Sequence, residues 1–335
     1  MTIDELIQDL VHNVPGEVPE VGEKEQDIYV NPAFYTLIFN SLESFLEKLN
    51  LLDDLELAQK LRENYIFFKA AYTKKRFSNL LKRINGMSLE ILKLCYNGSL
   101  INAGNDLCEM LGEKNPTLSK YLSEPYFNYF SFELSKGIPY YRMRDANADE
   151  EVKDCWHIPF QIRSGASTGR YSIAGFPSLY LADSLDVANE ELGKLEKDNR
   201  WVSEFTVKEG KRIFLLDLSW PSIDKIKEMN DYKKLSFIVT YPIRLMCSIK
   251  TKKSGNPNNE EYFIPQLFCH ALLIGDDKKV FCPYKGIIYN STKIKTGKCI
   301  VMPAVEEQRK IQGYGHSAYL KGLWNVSEPH VYKSK

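Results

Sequence analysis

The sequence predicts an α+β protein, with a mostly α-helical N-terminal domain over residues 1–125 and a sheet-containing domain over residues 126–335. Three observations carry this reading. Residues 34–83 repeat apolar positions every three or four residues, the period of a helix face. After about residue 125 the apolar runs shorten, gain β-branched residues and lie between turn formers, as strands do. Those runs alternate irregularly with helix-like stretches, which favours mixed or antiparallel sheets with flanking helices over a strict βαβ repeat. With 335 residues, 44% of them hydrophobic, the chain is long enough to bury a real core.

Residues 1–12 read as a short amphipathic helix, and "NVPGEVPEVGEKEQ" (13–26) as a loop broken by proline and glycine. Phe39, Leu42, Phe45 and Leu49 define one helix face. Asp53 and Asp54 start a second helix, with Leu57, Leu61, Tyr65 and Phe68 on its packing side. "KAAYTKKRFSNLLKR" (69–83) is a basic helical stretch with a solvated face. "INGMS" is expected to close it, Gly86 stopping the helix and Ser88 capping the next. Strands are expected at 212–218, 244–249, 285–290 and 298–303. Helices are expected within "DSLDVANEELGKLEK" (183–197) and "EEYFIPQLFCHALL" (260–273), and a polar surface loop at 250–261.

Composition narrows the function classes. Basic and acidic residues both number 44, so no global field draws the chain to nucleic acid or an anionic membrane. No apolar run approaches the ~20 residues of a membrane span, and the acidic start "MTIDELIQDL" does not resemble a signal peptide; a cytoplasmic location is expected. Seven scattered cysteines, none in a CxxC pair, indicate reduced structural thiols. The five histidines are isolated, with none at metal-ligand spacing, and no metal is expected. His157 in "CWHIPF" reads as a hydrogen-bonded core or strand-edge residue. "GASTGR" lacks the ending and spacing of a phosphate-binding P-loop, and there is no G-x-S-x-G elbow.

Three separated blocks carry a resemblance: "YYRMR" (140–144), "HIPFQIRSGASTGRYSIAGFPSLYLADSLDVANEEL" (157–192), and "EYFIPQLFCHALLI" with "YKGIIYNST" (261–292). Together they resemble the RES domain family, in the family's order, over roughly residues 126–305. The resemblance implies an ADP-ribosyltransferase-like fold and an enzyme that consumes NAD. Members are mostly bacterial toxins that break the nicotinamide–ribose bond by hydrolysis or phosphorolysis, and some transfer ADP-ribose to protein. Many are restrained by an Xre-type antitoxin. The family's first arginine falls on Arg142, with Arg144 the less favoured choice. The second falls on Arg170, the aromatic on Tyr180, the glutamate on Glu191 and the serine on Ser291. Tyr171 and Ser172 stand where Trp and Asn often follow the second arginine.

Chemistry gives these residue types a reason. A guanidinium bonds two diphosphate oxygens at once and stays charged, so Arg142 and Arg170 suit a clamp on NAD. Cleaving the nicotinamide bond develops positive charge on the ribose, which a fixed carboxylate stabilises. Glu191 takes that role by its interval from Tyr180. Its neighbour Glu190 projects ~100° away on the same helix and reads as solvated. Tyr180 reads as a core strand residue and as a wall for nicotinamide, and Ser291 as a hydroxyl at a strand end that bonds ribose or phosphate. NAD is then a consumed substrate, so no resident cofactor is required. The helical domain is assigned regulation or assembly, with an inhibitory partner or a homo-oligomer as its expected contacts. A protein ADP-ribosyltransferase and a catalytically silent binding module are the alternatives.

Overall fold

A computed structural model describes residues 1–15, 33–68, 71–111, 131–145, 154–193, 200–249, 260–269, 284–294, 296–304 and 313–332. The chain begins with a capping box: Thr2 Oγ1 accepts from the Glu5 amide, and Glu5 Oε2 accepts from the Thr2 amide at 2.8 Å. This starts α1 (Ile3–His12), which is followed by α2 (Ala33–Asn50) and α3 (Asp54–Glu63). Asp53 caps α3 through the amides of Leu55 and Glu56. Next come α4 (Tyr65–Phe68), α5 (Lys74–Tyr96), α6 (Leu100–Leu111), β1 (Ser131–Glu133), β2 (Tyr140–Asp145), β3 (Ser178–Ala182) and α7 (Leu185–Leu192). β4 (Arg200–Val207), β5 (Phe214–Asp217), α8 (Ile223–Glu228), α9 (Asp231–Ser248) and α10 (Phe263–Phe268) follow. The described elements end with β6 (Tyr284–Asn290), β7 (Lys298–Pro303), α11 (Ala318–Leu323), β8 (Trp324–Val326) and β9 (His330–Tyr332).

The chain forms two compact units, Met1–Phe130 with Trp220–Ala271, and Ser131–Ser219 with Leu272–Lys335. In the first, α9 packs against α1, α2 and α5. Every residue from Lys234 to Cys247 is buried, and Lys234 pairs with Asp4 of α1 at 2.7 Å. The expected single boundary near residue 125 did not include this return of residues 220–271 to the N-terminal helices.

Among the described residues, the second unit is built on a mixed sheet ordered β1-β5-β6-β7-β3-β2-β4-β8, with β9 also paired to β4. Only β5 and β6 run parallel; the other pairs are antiparallel. Strand alternation gives the sheet two faces. Tyr140, Leu179, Leu181, Ile288, Ile300 and Met302 enter one core with Leu320, Leu323 and Trp324. Met143, Ala182, Val202 and Cys299 face the other way and receive α7 through Val187 and Ala188.

Three sequence expectations are corrected. The helix that Gly86 was expected to stop runs through it to Tyr96, and Ser88 is fully buried inside it, its hydroxyl on Met110 Sδ at 3.7 Å. Packing of α5 on α6 outweighs the helix cost of one glycine, about 1 kcal/mol. "RLMCSI" (244–249) is the end of α9, not a strand. A helix buried all round shows no polar period, and its length is hidden by Pro242. Phe39 and Tyr65, placed on packing faces, are 41% and 56% exposed, whereas Ile38, Leu42, Phe45 and Leu49 line the buried side of α2. The loop expected over 13–26 lies mostly outside the described residues. Of that expected over 250–261, Glu260 and Glu261 open a 3₁₀ turn, with Glu261 buried.

Candidate active site

Ser184 caps α7 through the Val187 amide, and Gly193 ends the helix at φ +85°, where a side chain would be strained. The eight residues between carry Glu191 on an exposed position beside the edge of the apolar seam. Its Oε1 accepts a hydrogen bond from Ser291 Oγ at 2.5 Å, and Cys299 Sγ lies 3.6 Å from the same oxygen. Glu190 is more buried than Glu191 but takes no part in this cluster.

Ser291 follows the last residue of β6. Its own amide donates to Gly297 O at 2.8 Å, closing the turn into β7. Its Oγ accepts from the amides of Lys293 and Ile294 at 3.0 and 3.1 Å while its proton goes to Glu191. One donor and two acceptor positions are all a hydroxyl has, so Ser291 is saturated. In this arrangement the hydroxyl holds the carboxylate of Glu191. The turn approaches α7 closely: a Cβ on Gly297 would lie 2.2 Å from Val187 Cγ2.

Tyr180 is half-buried on β3, and its hydroxyl donates to Ser172 Oγ at 2.9 Å. Gly169 and Ser172 bridge each other, and a Cβ on Gly169 would meet both Ser172 Oγ and Tyr180 Oη within 3 Å. The two residues between them are Arg170, 8% exposed, and Tyr171, fully buried with its ring 4.6 Å from that of Tyr289. Tyr180 thus anchors the turn that carries Arg170. Burial pushes the Tyr289 phenol and the Cys299 thiol up, and both feel the charge of Glu191. Cys299 is consequently a packed thiol beside the carboxylate and not a thiolate nucleophile.

β2 and β3 share one register pair, Tyr141↔Ala182, and their ladder goes no further. At that parting the half-buried Arg142 donates from Nη1 to Tyr180 O at 3.0 Å. Its Nε is buried with no hydrogen-bond partner among the described residues. Burial, followed by the charge of Arg144, brings the Arg142 guanidinium down to about 10, so it remains a cation near neutral pH. Arg144 instead donates to Trp156 O, and by strand parity both arginines lie on the sheet face opposite α7. The structure therefore gathers Glu191 and Ser291 into one cluster. Tyr180 links the other two positions, by its hydroxyl to the turn of Arg170 and by its carbonyl to Arg142.

His157 is fully buried: its Nε2 accepts from the Ser317 amide at 2.9 Å, which leaves Nδ1 to donate to Ile158 O at 2.8 Å. Burial brings its imidazole down to about 4. Sequence reasoning missed Cys299 and Gly297. The alternation within β7 marks Cys299 as sharing a face with Val301, while the close approach at Gly297 has no local signal.

The chain is similar to a curated protein. It is 31% identical over 214 residues to a Bacillus subtilis (strain 168) protein named "Putative toxin YopC". The match covers 58% of this chain and 46% of the relative, so the chain spans less than half the length of that curated protein. No family model matches the chain, and no solved structure matches it. Among the described residues, no helix is long and apolar enough to cross a membrane, and no group of three or more metal-ligating side chains is gathered.

Proposed function

We propose that this protein is an NAD-consuming enzyme that cleaves the nicotinamide–ribose bond, and that it acts as a toxin by depleting NAD. The observation that carries the reading is the pairing of Glu191 with Ser291, 100 residues apart in sequence and 2.5 Å apart in the fold. These are the two positions where the RES resemblance puts the family's glutamate and serine. The name of the curated relative supports the toxin role.

In this reading Glu191 faces the ribose of NAD. Its charge is held by the Ser291 hydroxyl, which in turn is fixed by two backbone amides. A carboxylate oriented before the reaction stabilises the positive charge that develops on the sugar as nicotinamide leaves, without reorganising at that moment. Arg142 suits an anion. It is a half-buried cation on the sheet face opposite α7, with a second cation nearby and no ion pair among the described residues, so a diphosphate that extends past the β2–β3 parting to that face offsets both the desolvation and the repulsion. Arg170 supplies the second guanidinium from the turn fastened to Tyr180, whose ring offers the nicotinamide a wall. An Xre-type antitoxin that blocks the site is the partner this reading implies.

Incubating the purified chain with NAD and measuring free nicotinamide tests the proposal directly. Stoichiometric release of nicotinamide and ADP-ribose supports it, and intact NAD at high enzyme concentration sinks it. Adenine-labelled NAD that marks protein in a lysate redirects the reading to ADP-ribosyl transfer.

A further inference from the structure

The geometry points to Arg200 as the residue that positions Glu191. This inference rests on the catalytic reading of Glu191 and adds a residue that none of the sequence blocks contains. α7 has only eight residues. A helix that short is marginal by itself, and its last carbonyls lack helical partners. Arg200, 9% exposed at the start of β4, supplies a partner to one of them, Asn189 O, and grips the Gly193 carbonyl just past the helix. Its Nη1 donates to Asn189 O at 2.9 Å and also to Asn189 Oδ1, and its Nη2 donates to Gly193 O. Its Nε faces Asp145 Oδ1 at 3.3 Å, an ion pair across the β2–β4 ladder in which Asp145 and Arg200 are register partners.

The two residues whose carbonyls are gripped, Asn189 and Gly193, lie on either side of Glu191. A cation at a helix C-terminus is favourable toward the helix dipole. Here it also bolts the segment bearing the carboxylate to the sheet. Ser291 fixes the carboxylate end of Glu191, and Arg200 fixes its backbone. Lysine retains the charge but is a point donor on a flexible stem, so it cannot span Asn189, Gly193 and Asp145 together.

The test is Arg200→Lys in the full chain, read by NAD turnover and by amide hydrogen exchange. The expected result is a kcat lowered by about 10- to 100-fold, the cost of a reacting group displaced by up to ~1 Å, with KM for NAD within about twofold. Exchange should quicken in peptides covering 185–193 and stay unchanged in β6 and β7. Asn189→Ala, which removes the side-chain acceptor and leaves both carbonyl bonds, should give a smaller loss of kcat in the same direction. Unchanged kcat, or exchange that quickens equally throughout the sheet, overturns the positioning role. If the native chain releases no nicotinamide, the catalytic reading fails on its own. The exchange pattern then still decides whether Arg200 holds the α7 segment: unchanged protection at 185–193 overturns the inference.

Discussion

Glu191 and Glu190 differ by one position and, in the proposed mechanism, by their whole effect on rate. Glu191→Gln keeps the size and an acceptor for Ser291 but removes the charge. Turnover should fall by ~100- to ~1,000-fold, with NAD affinity nearly unchanged by calorimetry, because charge develops only in the transition state. Glu190→Gln, outside the cluster, should retain activity. Ser291→Ala separates holding from binding: it should lower kcat, and it should also cost roughly 1–3 kcal/mol in urea unfolding because the amides of Lys293 and Ile294 lose their acceptor. His157 gives a different measurable quantity. Its folded-state value near 4 lies below the usual 6.5, so the unfolded chain binds the extra proton between those limits. The stability it contributes is complete above about pH 6.5 and is lost as pH falls toward 4, at most roughly 3 kcal/mol. The difference in unfolding free energy between the native chain and His157→Gln should narrow over that window; a constant difference refutes the neutral buried imidazole.

At the scale of elements, the contact between the β6–β7 turn and α7 joins the two halves of the candidate site. Gly297→Ala puts a Cβ against Val187 and should destabilise the protein by about 1–3 kcal/mol while lowering turnover. Adding Val187→Ala should restore part of both, and the double-mutant coupling energy measures the contact. Strand and helix assignments near the site were legible because their patterns are local: the β-branched runs of β6 and β7 and the helical stretch within 183–197 that contains α7. The Gly297–Val187 approach was not legible, since it joins positions 110 residues apart. Nor was α9. Its "RLMCSI" end shares a strand's composition, and only the helices packed around it show that every side is buried. Saturation of Ser291 depends on amide directions in a turn, which side-chain chemistry alone does not reveal.

For the whole molecule, the division into discontinuous units has a consequence for dissection. A truncated chain of residues 126–335 keeps α9 but lacks α1, α2 and α5, which cover it. That form should aggregate or bind a hydrophobic dye strongly, and its solubility should recover when residues 1–125 are supplied. A soluble, monomeric 126–335 chain would show that α9 finds other cover. Expression of the intact chain in a bacterium lacking a restraining partner should lower cellular NAD and arrest growth, and Glu191→Gln at equal abundance should do neither.

The sheet order also imposes a timetable on synthesis. β1 and β5 form one flank, and β3, β2 and β4 the other; the strands that join them, β6 and β7, are translated after all five. While the ribosome is still short of residue 284, the flanks have no shared ladder, and the carboxylate of Glu191 exists without Ser291, Gly297 or Cys299. Such distant pairing is slow, because loop closure is paid before the contacts form. The middle of the sheet is therefore filled late, with only the edge strands β8 and β9 still to come, so a nascent chain that already contains Glu191 cannot yet hold it in place.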